Sequence, residues 1–526
     1  MSENIVIVGG GSAGWMTAAM LIHSFPEKNI TVIEDPESPP IGVGESTFDG
    51  IRYFCEFIGI DQKSFFKNTD ASIKIGLSFS KFFNNKKDDS FVYPFGEPYL
   101  AGTKWGLEDW MIKKYVYPDT PIKDFAESYF AQASLIKHNK FSENNNGKLG
   151  NFNPNLHTAL HFDAIKFGGW LRDHFCLPKN VKLIKDKVVN IELSENGISS
   201  LILSSGSNVS ADLFIDCTGF KSLLLDKILK EPFISYEDVL PNNRAWATRI
   251  PYKDKERELR NVTTCTAIES GWCWDIPLWS RLGSGYVYSD KYETPESALE
   301  QFKNYLMSEN IAVPRTRDEV DSLQFNDVKM RVGIHERTFV KNVVAIGLSA
   351  GFIEPLESNG LFTVHEFLFQ LVRALQRGSI SQWDRDVYNR ITKETFDGFV
   401  DFIRLHYALT NRTDTKYWKD IFNRNHNILN NNRTSFSNRL EEVRLNKTRN
   451  FYAPATGGTT WITSGMNYHL LDNVSIRLGE IKNNMNYKVD LDTNFKNLES
   501  KQKYWEDESL RSPSMYEYLK FKYYEE

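Results

Sequence analysis

The first 35 residues constrain the fold more than any other stretch. "NIVIVGG" is a short apolar, β-branched run that reads as a buried strand, "GWMTAAMLIHSF" follows with helical character, and "NITVIED" is a second buried strand. Between the first strand and the helix stands Gly9-x-Gly11-x-x-Gly14, with Ser12 and Ala13 inside the turn. Glu34 closes the second strand about 20 residues on. Each residue type has a task at this spacing. The glycines permit a tight turn, the approach of a pyrophosphate, and close helix–strand packing. The helix start attracts phosphate, and the acid bonds a ribose hydroxyl. A purely structural glycine turn would not need both strands and the acid. The expected class is α/β, with a Rossmann-like dinucleotide-binding domain.

Two later segments favour FAD over a nicotinamide cofactor. "DLFIDCTGF" ends a buried strand in Thr218-Gly219, as a second pass of the chain by a flavin would. "VVAIGLSAGFIEPLESNG" sets a strand, a glycine turn at Gly347 and Leu348, and a helix start together, as a third pass would. A nicotinamide dehydrogenase usually holds its cofactor with one βαβαβ set and has no need of these returns.

The remaining pattern is mixed. Residues 71–80, "ASIKIGLSFS", alternate strictly, which predicts a half-buried strand with Ile73, Ile75, Leu77 and Phe79 on one face and Lys74, Gly76, Ser78 and Ser80 on the other. The asparagine-rich residues 138–154 read as an exposed loop, and "HFDAIKFGGWLRDHF" as a helix in which His161 and Asp163 have structural roles. "VKLIKDKVVNIEL" and "GISSLILSSG" read as consecutive strands of a meander. Residues 342–378 read as strand, loop and long helix, with Pro355 in the first helical turn and Gly378 as the stop. Beyond about residue 395 the periodicity is helical, so the expected organisation is an FAD-binding module over 1–395 and a helical cap over 396–526, with additional β-sheet in the first.

Composition narrows the partners. The net charge of −5 and the lack of a basic stripe speak against nucleic acid. Five cysteines without CxxC or CxxH spacing support neither a disulfide framework nor a metal site, and suit a reducing cytoplasm. No run of 18 apolar residues occurs, so no membrane span is expected. The sequence leaves a homo-oligomer open.

"GWCWDIPL" sets Trp272 and Trp274 two residues apart on a predicted strand, so both face the same way and Cys273 faces the other. Core packing would explain one inward indole. Two in register make a continuous aromatic wall.

Together these residues resemble the flavin-dependent halogenases of the tryptophan type, over roughly residues 1–420. "GGGSAGWMTAA" resembles the family's fingerprint, and "IGVGEST", with Gly44 and Glu45, its flavin strap. "HFDA", "DLFIDCTGF", "GWCWDIP", "GLSAGFIEPLES" and "HYALTNRTDTKYW" follow in the family's order. The resemblance implies that FAD arrives reduced as FADH2 from a separate NAD(P)H flavin reductase, that chloride, bromide or iodide is oxidised to hypohalous acid, and that this oxidant passes through a tunnel to a lysine beside a small electron-rich aromatic. The lysine falls on Lys74 and an assisting glutamate on Glu357, with Ser358 beside it. The halide contact falls on the backbone amides of Asn359 and Gly360, where the family usually has threonine in place of the asparagine. The tryptophan wall would keep organic substrate from the flavin while small inorganic oxidant passes. Trp461 and Tyr468 are candidate stacking residues for the substrate, an indole, phenol or similar arene. A flavin monooxygenase that hydroxylates directly is the competing enzyme reading, and a non-catalytic flavin-binding protein the competing non-enzyme reading.

Overall fold

A computed structural model of the chain describes residues 3–38, 45–48, 50–86, 90–104, 106–144, 146–427 and 487–525. Two units alternate along the sequence: Met1–Ser72, Leu160–Ala247 and Asn326–Asp397 form one, and Ile73–Ala159, Thr248–Phe325 and Gly398–Glu526 the other.

The first unit is built on a six-stranded sheet in the order Phe339–Val340, Val343–Ala345, Leu213–Asp216, Asn4–Val8, Asn29–Glu34, Lys182–Lys185. Every neighbouring pair is parallel except the first. The expected strand–turn–helix–strand unit is present, with the helix over Ser12–Ser24 and the second strand ending on Glu34. Asn4–Val8, Leu213–Asp216 and Val343–Ala345 lie side by side and run the same way. Their three glycine-bearing turns therefore leave the same carboxyl end of the sheet, which is where open α/β sheets bind ligands.

Two expectations fail in this unit for local reasons. "VKLIKDKVVNIEL" is not one strand. Lys182–Lys185 joins the parallel sheet, whereas Val188–Ser194 pairs antiparallel with Gly197–Leu203 elsewhere. The chain turns at Asp186, whose carboxylate accepts from the amides of Lys187 (2.7 Å) and Ser205 (3.2 Å). The long helix starts at Gly360 and not at Pro355. Ser358 takes a left-handed backbone (φ 61°) in between, and an L-residue in that conformation cannot carry a right-handed helix forward.

The second unit holds most of a seven-stranded sheet, in the order Phe325–Lys329, Arg244–Pro251, Arg281–Tyr288, Gly271–Pro277, Thr263–Ile268, Gly76–Ser80, Ser90–Pro94. "GWCWDIP" is the fourth strand, buried throughout and paired antiparallel on both sides. The predicted strand over 71–80 breaks in two, Ser72–Lys74 and Gly76–Ser80. Ile75 leaves the ladder: its N–H donates to the Asn261 carbonyl at 2.8 Å, and its own carbonyl accepts from Phe95 at 3.0 Å. Lys74, at the end of the first piece, is fully buried.

Helices follow residue 380: Gln382–Ala408 runs unbroken for 27 residues, then come Lys416–Asn425, Tyr487–Leu510 and Met515–Leu519. Within the second unit the Trp418 indole N–H donates to the Ile268 carbonyl (2.7 Å), and the Thr410 hydroxyl to the Phe82 carbonyl (2.6 Å), which pins the "HYALTNRTDTKYW" block to the sheet. Among the described residues no helix is long and apolar enough to cross a membrane.

The glycines of the fingerprint separate into two kinds. A Cβ on Gly9 would sit 2.2 Å from the Cys217 carbonyl oxygen and one on Gly14 1.9 Å from the Gly9 oxygen, whereas one on Gly11 would meet nothing within 4 Å. Gly9→Ala should therefore cost about 2–5 kcal/mol of stability. Gly11→Ala should cost under about 1 kcal/mol yet weaken FAD binding sharply, since Gly11 borders open space at the helix start. Chemical denaturation and flavin fluorescence titration of the two variants check this.

Candidate active site

In the first unit the three passes are tied together by short bonds. Gly9 donates to the Ile33 carbonyl (2.9 Å) and Cys217 to the Val8 carbonyl (2.8 Å), so the turn after the first strand is held from both neighbouring strands. Asp216, fully buried, organises the second pass: its carboxylate accepts from the amides of Thr218, Leu224 and Leu225 and from the Thr218 hydroxyl, at 2.7–3.0 Å. The Ser349 hydroxyl of the third pass donates to the Gly219 carbonyl at 3.2 Å. Gly347 (φ 70°) closes onto the first helix, where an added Cβ would lie 3.0 Å from that of Ala13. Leu348 follows it in the same turn.

The fit for a dinucleotide rests on two observations. Gly11 leaves room at the start of the Ser12–Ser24 helix. Glu34 presents a buried Oε2 with no hydrogen-bond partner among the described residues. A pyrophosphate suits the first and a ribose hydroxyl the second. The residues present fit a dinucleotide such as FAD.

The "EPLESNG" loop carries the other candidates of this unit. Glu357 is fully buried, Ser358 is 2% exposed and Asn359 1%. The Ser358 hydroxyl lies 2.8 Å from that of Ser46, which joins this loop to the short strand Glu45–Ser46. Asn359 is the N-cap of the helix Gly360–Leu375, but its side chain makes no cap bond, and its Oδ1 is buried without a hydrogen-bond partner among the described residues. Gly360 opens the helix, so amides of its first turn point at whatever lies before it. Glu45 approaches this point, its Oε2 3.8 Å from the place of a Cβ on Gly360. Burial, with the negative charge of Asp163 added, pushes the Glu45 carboxyl up to about 7. Asp163 caps its helix through the amides of Ile165 and Lys166 (3.0 and 3.1 Å), and His161 Nδ1 lies 3.1 Å from the Ser72 hydroxyl.

In the second unit Lys74 ends the broken strand with its Nζ 5.1 Å from the centre of the Phe95 ring. Phe95 is itself fixed, its carbonyl accepting from the Gln132 amide at 2.7 Å. Trp272 and Trp274 are buried with ring centres 6.1 Å apart, on one face of their strand as expected. Gly285 stands opposite Trp274 on the neighbouring strand. The Trp274 indole N–H finds no hydrogen-bond partner among the described residues. On the other face of the strand Asp275 accepts from Tyr305 (2.6 Å) and Ser284 (2.7 Å), and burial pushes its carboxyl up to about 6.

The fingerprint residues Gly9, Gly11, Ser12, Ala13, Gly14 and Glu34 thus lie in one unit with Glu45, Gly347, Leu348 and Glu357–Gly360, while Lys74, Trp272 and Trp274 lie in the other. Gly44, Trp461 and Tyr468 fall outside the described residues. Sequence reasoning missed Ser46, Asp216 and Phe95. The first two stand inside quoted motifs, and the alternation Phe91, Tyr93, Phe95 was the available signal for the third.

The sequence profile of the family described as tryptophan halogenase matches residues 4–469. Tryptophan 6-halogenase SttH of Streptomyces toxytricini is 34% identical over 439 residues, which cover 80% of each chain. Among solved structures, that described as VirX1 in its apo form is 34% identical with a TM-score of 0.89, covering 100% of each chain. Tar14, a tryptophan C-6 flavin-dependent halogenase (chlorinase) from taromycin biosynthesis, is 30% identical with a TM-score of 0.80, covering 98% of this chain and 99% of its own. With a match of this length, the Rossmann-like cradle and the motifs on both units have one explanation: the chain belongs to the tryptophan halogenase family and is a flavin-dependent halogenase.

Proposed function

We propose that the chain halogenates a small electron-rich aromatic, an indole or phenol, with Lys74 presenting the oxidised halogen and Glu357 assisting. The observation that carries this is a fully buried lysine whose Nζ faces an aromatic ring, in a chain that also holds an FAD cradle. An ammonium is costly to bury, and a strand broken at Ile75 to place it inward is hard to explain by packing alone. Reduced FAD in the cradle, supplied by a separate NAD(P)H reductase, provides the electrons that activate oxygen for halide oxidation. The protein's own part is to hold, aim and exclude. Gly11 and the first turn of the Ser12–Ser24 helix take the pyrophosphate, and Glu34 the ribose. Amides at Asn359 and Gly360 take the halide by the general affinity of helix starts for anions. Lys74 donates a hydrogen bond to hypohalous acid, so that as the arene carbon bonds the halogen the departing hydroxide takes the lysine's proton and leaves as water, and the proton the ring carbon then sheds restores the ammonium. Phe95 and the lysine bound the arene. Trp272 and Trp274 form the barrier that separates organic substrate from the flavin.

Incubation with FAD, a flavin reductase, NADH, oxygen and bromide should brominate simple indoles or phenols, detected by mass spectrometry. Lys74→Ala should still bind FAD and consume oxygen while product formation falls by roughly 10²–10⁴-fold. Unchanged product in that variant removes Lys74 from the reaction. Replacing Trp272 and Trp274 together by leucine should leave FAD binding intact and allow hydroxylated arene to appear beside the halogenated product. A product distribution identical to that of the natural protein would show that the pair is packing and no barrier.

A further inference from the structure

Glu45 lies beside a helix start, which favours an anion, while burial and the charge of Asp163 disfavour its carboxylate. Its Oε2 lies 3.8 Å from the Cβ position of Gly360, the first residue of a 16-residue helix. Its neighbour Ser46 is bonded through Ser358 to the loop that leads into that helix, so the short strand cannot drift away freely. Asn359 leaves this helix start without a side-chain cap, and its buried Oδ1 has no hydrogen-bond partner among the described residues. The helix start therefore faces a titratable carboxyl in place of its own N-cap side chain.

We propose that Glu45 controls halide occupancy at Asn359 and Gly360 by its charge, admitting the anion when neutral and excluding it when ionised. This rests on the halide reading of those two amides. Two anions do not share a desolvated site, for the reason that paired carboxylates do not both ionise. The groups around Glu45 sharpen the effect. The strand Ala159–Phe162 and the cap that follows bring His161 and Asp163, the loop before the helix brings Glu357, and the helix contributes no ionisable side chain before His365. Desolvation, with Asp163 as the one charge among these that adds to it, pushes the Glu45 carboxyl up to about 7. The sign follows. Below that value Glu45 is neutral and halide affinity is flat; above it, each bound halide must also bring a proton to Glu45, so affinity falls as pH rises.

The test is bromide binding followed by 81Br NMR line broadening from pH 6 to 9, on the chain alone and loaded with FAD, for the natural protein and Glu45→Gln. The natural protein should bind bromide about tenfold more weakly at pH 8 than at pH 6, and Glu45→Gln should show one affinity throughout. Bromide added to the natural protein in weak buffer near pH 8 should take up protons, which tests the idea even if the variant does not fold. Binding with a flat pH profile and no proton uptake overturns the gate and leaves the halide reading standing. No bromide binding at any pH overturns both.

Discussion

Backbone meets backbone at Gly9, Gly14 and Cys217, and most of the first unit follows from that contact. The helix Ser12–Ser24 can lie against the sheet only because Gly14 has no Cβ to strike the Gly9 carbonyl, and the first strand can accept Leu213–Asp216 beside it only because Gly9 has none to strike Cys217. Once those strands are adjacent, Asp216 can close its turn with four hydrogen bonds, and the third pass can come down on Ala13 through Gly347. A side chain at either glycine would push apart the elements on which the dinucleotide rests. Gly11 stands apart from this packing, which is why its absence of a side chain reads as room for a ligand.

The parts of the fold that were legible in the sequence are those fixed by short-range rules. The glycine spacing, the apolar run of Asn4–Val8 and the acid at Glu34 act over a few residues and gave the cradle correctly. Trp272 and Trp274 share a face because strand geometry allows nothing else. What could not be read depended on distant partners. Alternation over 71–80 predicted one continuous half-buried strand, but the Asn261 carbonyl, almost two hundred residues away, captures the Ile75 amide where the strand breaks, and Lys74 beside the break is fully buried. Likewise the helix start at Gly360 depends on a left-handed Ser358, whose hydroxyl is bonded to Ser46 at the far end of the sequence. Alternation reports on hydrophobicity and is silent about a break imposed by a hydrogen bond from elsewhere.

A theme common to both units is ionisable side chains kept out of water. Glu45 and Asp275 are both pushed towards neutrality by burial, to about 7 and about 6. Asp275 sits on the strand face opposite the tryptophan pair and is held by Tyr305 and Ser284. Lys74 has the Phe95 ring against its ammonium. Such groups cost stability wherever they are buried, and folds retain them where chemistry or specificity needs them. Glu45 lies in the first unit, and Lys74 and Asp275 lie in the second.

The central claim is that the oxidant reaching the arene transfers its halogen to the ring and not its oxygen. Running the reaction under 18O2 with bromide present, and weighing the aromatic product by high-resolution mass spectrometry, tests that claim most directly. The account predicts bromine in the product and no 18O, with the label recovered in water. An arene that carries 18O and no bromine would contradict it and would make this chain a hydroxylase built on a halogenase fold.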